Sequence, residues 1–463
     1  MSELAASETP LLSILARYVT TLEIDRIPVE ARWQAALCLL DTVGCIAAGS
    51  RTPEATMIQT VEGENGFGKS RLLGSNLRLP SEAAARIHGY AGDVFELNDL
   101  IGGHASIGNV AAVLAAAEDG SVSGARLLTA LIAGIEVTCR VYTAVYPHLK
   151  PYTDVAMVIP GIVSAIGAAA AVAVLQEQPE PVVHEALAIA GALTTWCPAE
   201  AIFGDGGTVK PLLFGAWPAA VGLRAVCYAR RGMTGPAQLL DSSIGLYATL
   251  GRCFDRDVIT DVSHWYLLEP RRKLHACCGY IHSALDTLIT LRREIGVEAM
   301  NKGRLHIEMP AYVIPAVSKR DLPSSANEAR FHAEYCLALV ACGDDVVTPD
   351  HSLNYAHFCA REDVKRAISR ITIRANSSLT HYHQSILEFE ADGLKVRRAN
   401  HAPKGSPQNP MTEEDVIAKF LRLAAFPTSH DYAARMLKIE KEIDCSWIFD
   451  DMEAASGRVQ ERM

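Results

Sequence analysis

The stretch VAMVIPGIVSAIGAAAAVAVLQ, residues 155–176, carries no charged side chain. It is long enough to cross the hydrocarbon core of a bilayer, so it is either a membrane span or a helix buried in a protein core. Its alanine and glycine content, Pro160 near its start, and the lack of a basic flank or aromatic belt favour the buried helix. The stretch therefore predicts a large helical core and no membrane partner.

Helical patterns continue on the N-terminal side of this stretch. In IPVEARWQAALCLLDTVGCIAAGS, residues 27–50, Pro28 stands at a predicted helix start and Gly49 just past its end. In SGARLLTALIAGIEVTCRV, residues 123–141, apolar side chains recur at helical spacing. We therefore predict a large all-helical domain over residues 1–268.

The pattern changes after about residue 270. RLHIEMP (304–310) and RITIRAN (370–376) alternate as strands do, and ILEFEADGLKVRRAN (386–400) predicts a hairpin turning at Asp392-Gly393. In the segment MTEEDVIAKFLRLAAF, Thr412 is a predicted helix N-cap. The fold class is thus mostly α, with a smaller α+β domain at 269–408 and a C-terminal return to the helical domain at 409–463.

The composition limits the possible partners and the compartment. The chain has 463 residues, is 49% hydrophobic and carries a net charge of −10, with no block of Lys or Arg, which argues against a nucleic-acid partner. Its 12 cysteines are scattered, and the N-terminal MSELAASETP has no basic region followed by an apolar run. We expect a reduced, cytoplasmic protein.

The first candidate site is ELNDLIGGHASIGNV, residues 96–110. His104 follows two glycines, whose backbone can approach a ligand closely, and Asp99 is near enough in sequence to orient the imidazole or raise its pKa. The alternative is a solvated loop in which Asn98 or Asp99 caps the next helix.

Two further segments contain single candidates for proton transfer. Lys210 lies between a glycine-rich turn and an apolar run; if buried, its pKa would fall, making it a base or an anion anchor. The alternative is a lysine that extends to solvent from a helix start. Tyr152 lies in YPHLKPYTD, residues 146–154, which is either an acid–base segment or an ordinary helix-end loop.

The segment RRKLHACCGYIH, residues 271–282, holds Lys273, His275, Cys277 and His282. It can be interpreted as an anion pocket, a nucleophilic cysteine site or a metal site. Its adjacent cysteines do not follow the CxxC spacing of zinc sites, so a cationic cluster for carboxylates is the simpler interpretation. The HYH sequence at 381–383 is interpreted as ordinary surface histidines.

Taken in order, these segments resemble the MmgE/PrpD family, which includes 2-methylcitrate dehydratase, cis-aconitate decarboxylase and iminodisuccinate epimerase. The likeness covers most of the chain and includes HGYAGDVFELND, GGTVKPLLFGAWPAAVGLRA and RKLHACCGYIHSALD. It implies a two-domain subunit, a homodimer, no cofactor or metal, and a cleft between the domains that binds small di- or tricarboxylates.

The resemblance also implies positions for the site residues. Asp99 and His104 fall on the family's acidic and histidine positions, and Lys210 falls on its buried lysine. The family's Lys/Cys/His segment is matched by Lys273, Cys277 and His282.

The sequence departs from the family pattern in three places. Asp93 replaces a histidine before the acidic quartet, which here is residues 96–99, and Asp99 and His104 lie closer together than in many dehydratase and decarboxylase members. Val158 occupies the place of a second histidine, which is tied to the active site of decarboxylase-like members. Tyr152 is the nearest side chain that could replace it in proton transfer.

These departures favour an epimerase or racemase of a small, iminodisuccinate-like dicarboxylate. Lys210 and Tyr152 would be opposed bases, and Asp99 would orient His104. The substrate-binding side chains are predicted to be His104, Lys273, His275, Cys277 and His282. The alternatives are a hydro-lyase or decarboxylase acting on a methylcitrate- or aconitate-like acid, and a non-catalytic carboxylate-binding protein.

Overall fold

The computed structural model describes residues 9–450 and 452, except 65, 118–121, 205, 206 and 320. The prediction of a cytoplasmic protein rests partly on the N-terminal segment, most of which lies outside the described residues. The last part of the predicted C-terminal return also lies outside them.

The uncharged stretch forms the central helix of the larger core. Helix Pro160–Leu175 is buried at every position except Pro160 and Val174. Its most extensive packing is against Ala105–Ala117, Gly124–Val145, Glu180–Ala192 and Trp217–Ala229. The predicted buried core helix is confirmed, and its alanines and glycines let the neighbouring backbones approach closely.

Among the described residues, two helical segments are long and apolar enough to cross a membrane by length and composition alone. They are Gly124–His148 and Leu212–Ala229, and 83% and 67% of their most apolar windows are buried inside the protein. Their apolar faces are therefore largely covered by other parts of this chain.

The α-helices of eight or more residues build most of the helical core and flank the sheet. They are Leu11–Thr20, Val29–Gly49, Pro53–Gly63, Ser81–Asp93, Ala105–Ala117, Gly124–Val145, Pro160–Leu175, Glu180–Ala192, Trp217–Ala229, His282–Ile295, Ala333–Ala341, Glu413–Ala424 and Ser429–Met436.

The prediction of an all-helical larger domain is wrong in one detail. Strands Ser70–Leu72 and Ser75–Leu79 form an antiparallel hairpin on the helical core. Leu72 and Leu79 are buried, and the Leu73 N–H donates a hydrogen bond to His88 Nε2 at 3.1 Å. The hairpin is short, so its alternation covers too few residues to stand out in the sequence.

The second part of the fold is built on a four-stranded sheet. The strand order is Ile371–Ala375, Arg304–Met309, Ser385–Ala391, Leu394–Asn400; the first pair is parallel and the other two are antiparallel. Asp392 and Gly393 both have positive φ, at 45° and 83°, as a tight hairpin turn requires. The predicted strands and turn are confirmed, and helices His282–Ile295 and Ala333–Ala341 pack with the sheet in a separate apolar core.

The chain then returns to the helical core. Thr412 caps helix Glu413–Ala424 in a capping box with Asp415, as predicted, and this helix packs on Val29–Gly49. From it the buried Lys419 reaches back, donating to the Leu97 carbonyl at 2.7 Å and pairing with Asp41 at 2.7 Å. Helix Glu413–Ala424 thereby holds the loop that follows helix Ser81–Asp93.

A close backbone approach joins that helix to the segment around Lys210. A Cβ at Gly89 would lie 2.4 Å from the Gly215 carbonyl group, so neither position has room for a side chain. Gly215 belongs to a π-helical turn, Leu212–Ala216, a geometry that occurs often at functional sites. The two glycines allow the end of one helix to meet the start of the other.

Candidate active site

The loop between helices Ser81–Asp93 and Ala105–Ala117 is held in an unusual conformation. Glu96 and His104 are both left-handed, with φ of 54° and 74°, and each costs on the order of 1 kcal/mol. Gly103, with φ of 68°, lies so close to Tyr142 that a Cβ would be 2.5 Å from its ring. The surrounding packing therefore fixes this loop, and strain of this kind concentrates at functional sites.

A buried lysine lies between two carboxylates of the loop. Lys210 Nζ pairs with Asp93 Oδ1 at 2.7 Å and also contacts Glu96 Oε1. On the far side of Glu96, Lys273 Nζ donates to its backbone carbonyl at 2.7 Å and to Oε2 at 2.9 Å. Two lysines from distant segments thus close around the loop.

The charges of neighbouring side chains in this cluster shift the pKa values of Lys210, Glu96 and Asp93. Burial alone would lower the pKa of Lys210, but Asp93 and Glu96 outweigh burial and raise that pKa above 10.5. Burial also acts to raise the pKa of Glu96, yet Lys210 and Lys273 hold it below its usual value. Burial raises the pKa of Asp93 in spite of Lys210. The predicted fall in the pKa of Lys210 is therefore wrong: Lys210 is an ammonium ion, not a free base.

His104 is a neutral imidazole near the Lys210 ammonium ion. Burial, followed by the charges of Lys210 and Lys273, holds the pKa of His104 well below 6.5. Its Nδ1 donates to Asn98 Oδ1 at 3.1 Å, which leaves the lone pair on Nε2. The ring of Phe214 lies 5.5 Å from the imidazole and 4.6 Å from Lys210 Nζ. Phe214 therefore stands beside both groups and keeps their surroundings apolar.

The predicted pairing of Asp99 with His104 is corrected by these contacts. Asp99 accepts a hydrogen bond from the Ser106 hydroxyl at the start of the next helix, and burial raises its pKa to about 6. The five-residue spacing suggested contact, but the turn through Gly102 and Gly103 directs the imidazole to Asn98 instead.

The remaining predicted binding residues lie behind the site. His275 Nε2 is 3.2 Å from Asp286 Oδ1, and His282 Nε2 donates to the Cys277 carbonyl at 3.3 Å. Cys277 is fully buried, and burial raises its pKa well above 9.0. These three side chains and Lys273 do not line the cavity described next. They support its wall, so the predicted direct contact of Lys273, His275, Cys277 and His282 with substrate is corrected.

A cavity of about 800 Å³ lies between the helical part and the sheet-containing part. Glu96, His104 and Lys210 line one region of it, and Arg271 lines another. Tyr152 is also in the wall, stacked on Phe203 with ring centroids 4.0 Å apart. Six further tyrosines line it, namely Tyr142, Tyr146, Tyr266, Tyr280, Tyr312 and Tyr382.

Sequence reasoning missed two contributors to this wall. Arg271 faces the cavity, whereas Arg272 donates to Gln34 Oε1 at 2.9 Å and Lys273 to Glu96. Three consecutive cations gave no sign of which one is accessible. The HYH segment was interpreted as surface histidines, but His383 and Tyr382 are buried and His381 lines the cavity, so that interpretation is wrong. Within the described residues, no group of three or more His, Cys, Asp or Glu is placed to bind a metal ion.

Comparison with known proteins accounts for nearly the whole chain. Residues 13–257 match the MmgE/PrpD N-terminal domain, and residues 275–444 match the MmgE/PrpD C-terminal domain. The chain belongs to the MmgE/PrpD family. Members of this family are enzymes, dehydratases and decarboxylases among them.

Two curated MmgE/PrpD relatives align over almost their full length. A cis-aconitate decarboxylase-like protein, oryM, from Aspergillus oryzae is 25% identical over 466 residues, covering 93% of this chain and 93% of the relative. A cis-aconitate decarboxylase from Aspergillus terreus is 24% identical over 458 residues, covering 92% and 91%. The similarity therefore spans both parts of the fold.

Val158, one of the positions at which the sequence departs from the family pattern, lies in the cavity wall. Val158 lines the wall and packs beside the apolar cluster that contains Phe214. The position at which the family resemblance implies a histidine thus presents an apolar side chain to the cavity.

Proposed function

We propose that this protein is a lyase that acts on a small di- or tricarboxylate by proton transfer at a carbon next to a carboxylate. One observation carries the proposal: a neutral imidazole, His104, and a protonated lysine, Lys210, line the same cavity beside Phe214. A base and a fixed positive charge together are what enolate-forming chemistry requires.

The two groups divide the work in a dehydration. His104 Nε2 takes the proton from carbon, and the C–H electrons move toward the adjacent carboxylate, where the Lys210 ammonium stabilises the developing charge. The new imidazolium then gives its proton to the β-hydroxyl, which leaves as water while the double bond forms. In a decarboxylation the C–C bond to the departing CO₂ breaks and its electron pair stays on the substrate, where the Lys210 ammonium stabilises the charge. His104, protonated from solvent for this step, then gives its proton to carbon.

Two findings favour a lyase over the epimerase expected from the sequence. The curated relatives reported above carry decarboxylase names. In addition, the raised pKa of Lys210 removes one of the two bases on which the epimerase assignment depended.

The second candidate is the epimerase, and the cavity wall favours it in one respect. Val158 offers no proton where decarboxylase-like members carry a histidine, while Tyr152 lines the same wall. In this version His104 removes the α-proton and Tyr152 returns one to the opposite face of the carbon.

Proton NMR in D₂O distinguishes the two candidates. The purified protein is incubated with citrate, 2-methylcitrate, cis-aconitate and iminodisuccinate in turn. We expect a new vinyl signal or release of CO₂ with at least one tricarboxylate. Exchange of an α-proton with inversion and unchanged connectivity would instead establish the epimerase. Thermal stabilisation by these acids without any reaction would contradict both and indicate a binding protein.

The positioning of His104 can be tested with neighbouring substitutions. We expect Asn98→Leu to lower kcat by roughly 10²-fold, because the Nδ1 proton loses its acceptor and the tautomer is no longer fixed. We expect Asp99→Asn to lower kcat by less than about tenfold, because Asp99 bonds Ser106 and not the imidazole. Steady-state kinetics on the acid that reacts provide the comparison, and a larger loss for Asp99→Asn than for Asn98→Leu would contradict this arrangement.

A further inference from the structure

The cavity is large for the acids considered so far. At about 800 Å³ it has the size of sites that enclose drug-sized ligands, and a citrate-sized molecule fills only a fraction of it. The groups around His104 and Lys210 form one part of the lining, and Lys150, Glu269 and Arg271 are further charged side chains in it. The apolar part of the lining remains without an assigned partner.

That remaining region has an apolar wall. Met157, Val158, Ile202 and Phe203 all line the cavity, and each is only partly buried in the absence of a ligand. Partly exposed apolar side chains facing a concave space gain free energy when an apolar group covers them.

The wall is continuous with the reacting groups. Met157, Val158 and Ile202 pack against the apolar cluster that includes Leu213 and Phe214. Phe214 in turn contacts both His104 and Lys210. A molecule whose carboxylates lie at Lys210 can therefore extend past Phe214 along these apolar side chains.

From this continuity, and building on the proposed function, we infer that the substrate is a di- or tricarboxylate bearing an extended apolar substituent, such as an alkyl chain. The carboxylate head lies at Lys210 and His104. The substituent lies against Val158 and Phe203, where the replacement of a family histidine by valine makes the wall apolar.

Equilibrium binding to the full-length protein tests this without requiring turnover. The probes are citrate and 2-alkylcitrates with methyl, butyl and octyl substituents, measured by calorimetry. We expect Kd to fall by about threefold to fourfold for each methylene that reaches the wall. A Kd that is unchanged or rises with chain length would overturn the inference, because the cavity would then close around a small acid.

Two substitutions test where the alkyl substituent of the ligand binds. Val158→Thr keeps the side-chain shape but adds a hydroxyl, and Phe203→Ala removes a ring from the wall; both are expected to flatten the dependence of Kd on chain length. Val297→Thr is the matched control, since Val297 is 39% exposed and does not line the cavity, and it should preserve that dependence. Equal slopes in Val158→Thr and Val297→Thr, with both proteins folded by their melting temperatures, would overturn the assignment of the wall.

Octanoate tests the carboxylate head, because it carries the chain with a single carboxylate. We expect it to bind at least about tenfold more weakly than octylcitrate, and equal affinity would overturn a polycarboxylate substrate. Turnover of citrate or cis-aconitate with no chain-length dependence would leave the proposed lyase standing and this inference overturned. Chain-length-dependent binding with no reaction of any probe would support this inference and contradict the lyase.

Discussion

Lys210→Met is expected to lower kcat by roughly 10³-fold and the free energy of unfolding by about 3–5 kcal/mol. The activity falls because no cation then faces the developing negative charge beside His104. The stability falls because Asp93 and Glu96 lose the ammonium ion that both contact in the buried cluster. Steady-state kinetics and denaturant unfolding measure the two effects separately.

The loss of stability in Lys210→Met should grow with pH. Burial raises the pKa of Asp93 even in the presence of Lys210, and without that lysine the carboxyl will hold its proton more tightly. A group whose pKa is higher in the folded state stabilises the fold at low pH and loses that contribution as pH rises through the folded value. The difference in melting temperature from the unsubstituted protein should therefore be larger at pH 8 than at pH 5.

Two further variants separate charge from packing. The double variant Lys210→Met/Asp93→Asn should recover much of the stability but not the activity, because it removes one unpaired carboxylate without restoring the cation. Lys302→Met is the matched control: Lys302 pairs only with Glu298 on an exposed surface, so stability should change by less than about 1 kcal/mol. Full activity in Lys210→Met would contradict the proposed mechanism.

Most of the fold could be predicted from the sequence, because the patterns that indicate its helices, turns and caps each lie within one short segment. The uncharged stretch at 155–176, the Asp392-Gly393 turn and the Thr412 cap each depend on residues within one segment. The hairpin at residues 70–79 was missed because its strands are short and its pairing depends on packing against the helical core.

The sequence identified the segments that form the site, but not the orientation or protonation of their side chains. The sequence indicated His104 and Lys210, but the protonation of Lys210 depends on Asp93, which is 117 positions away in the chain. Likewise, only the folded backbone determines that Arg271 faces the cavity while Lys273 faces Glu96. The direction of a side chain and its electrostatic environment depend on tertiary contacts, and spacing along the chain does not predict them.

His104→Gln is expected to lower kcat by about 10²- to 10⁴-fold, since glutamine can donate and accept hydrogen bonds but cannot take a proton from carbon. The melting temperature should change little by comparison, because His104 is already neutral in the folded protein and leaves no buried charge unpaired. His357→Gln, at an exposed position in the sheet-containing part, is the matched control and should retain full activity.

The pH dependence of the unsubstituted protein tests the same assignment independently. A base acts in its neutral form, so kcat/KM should be constant at neutral pH and fall only as pH drops through the pKa of His104. Burial and the two nearby lysines hold that pKa well below 6.5, so the acid limb should lie below the ordinary histidine range. A midpoint at or above 6.5 would show that another group is the base. If His104→Gln also retained exchange of the substrate α-proton with D₂O, Tyr152 would be the next base to substitute among the groups on the cavity wall, and the epimerase would replace the lyase as the better assignment.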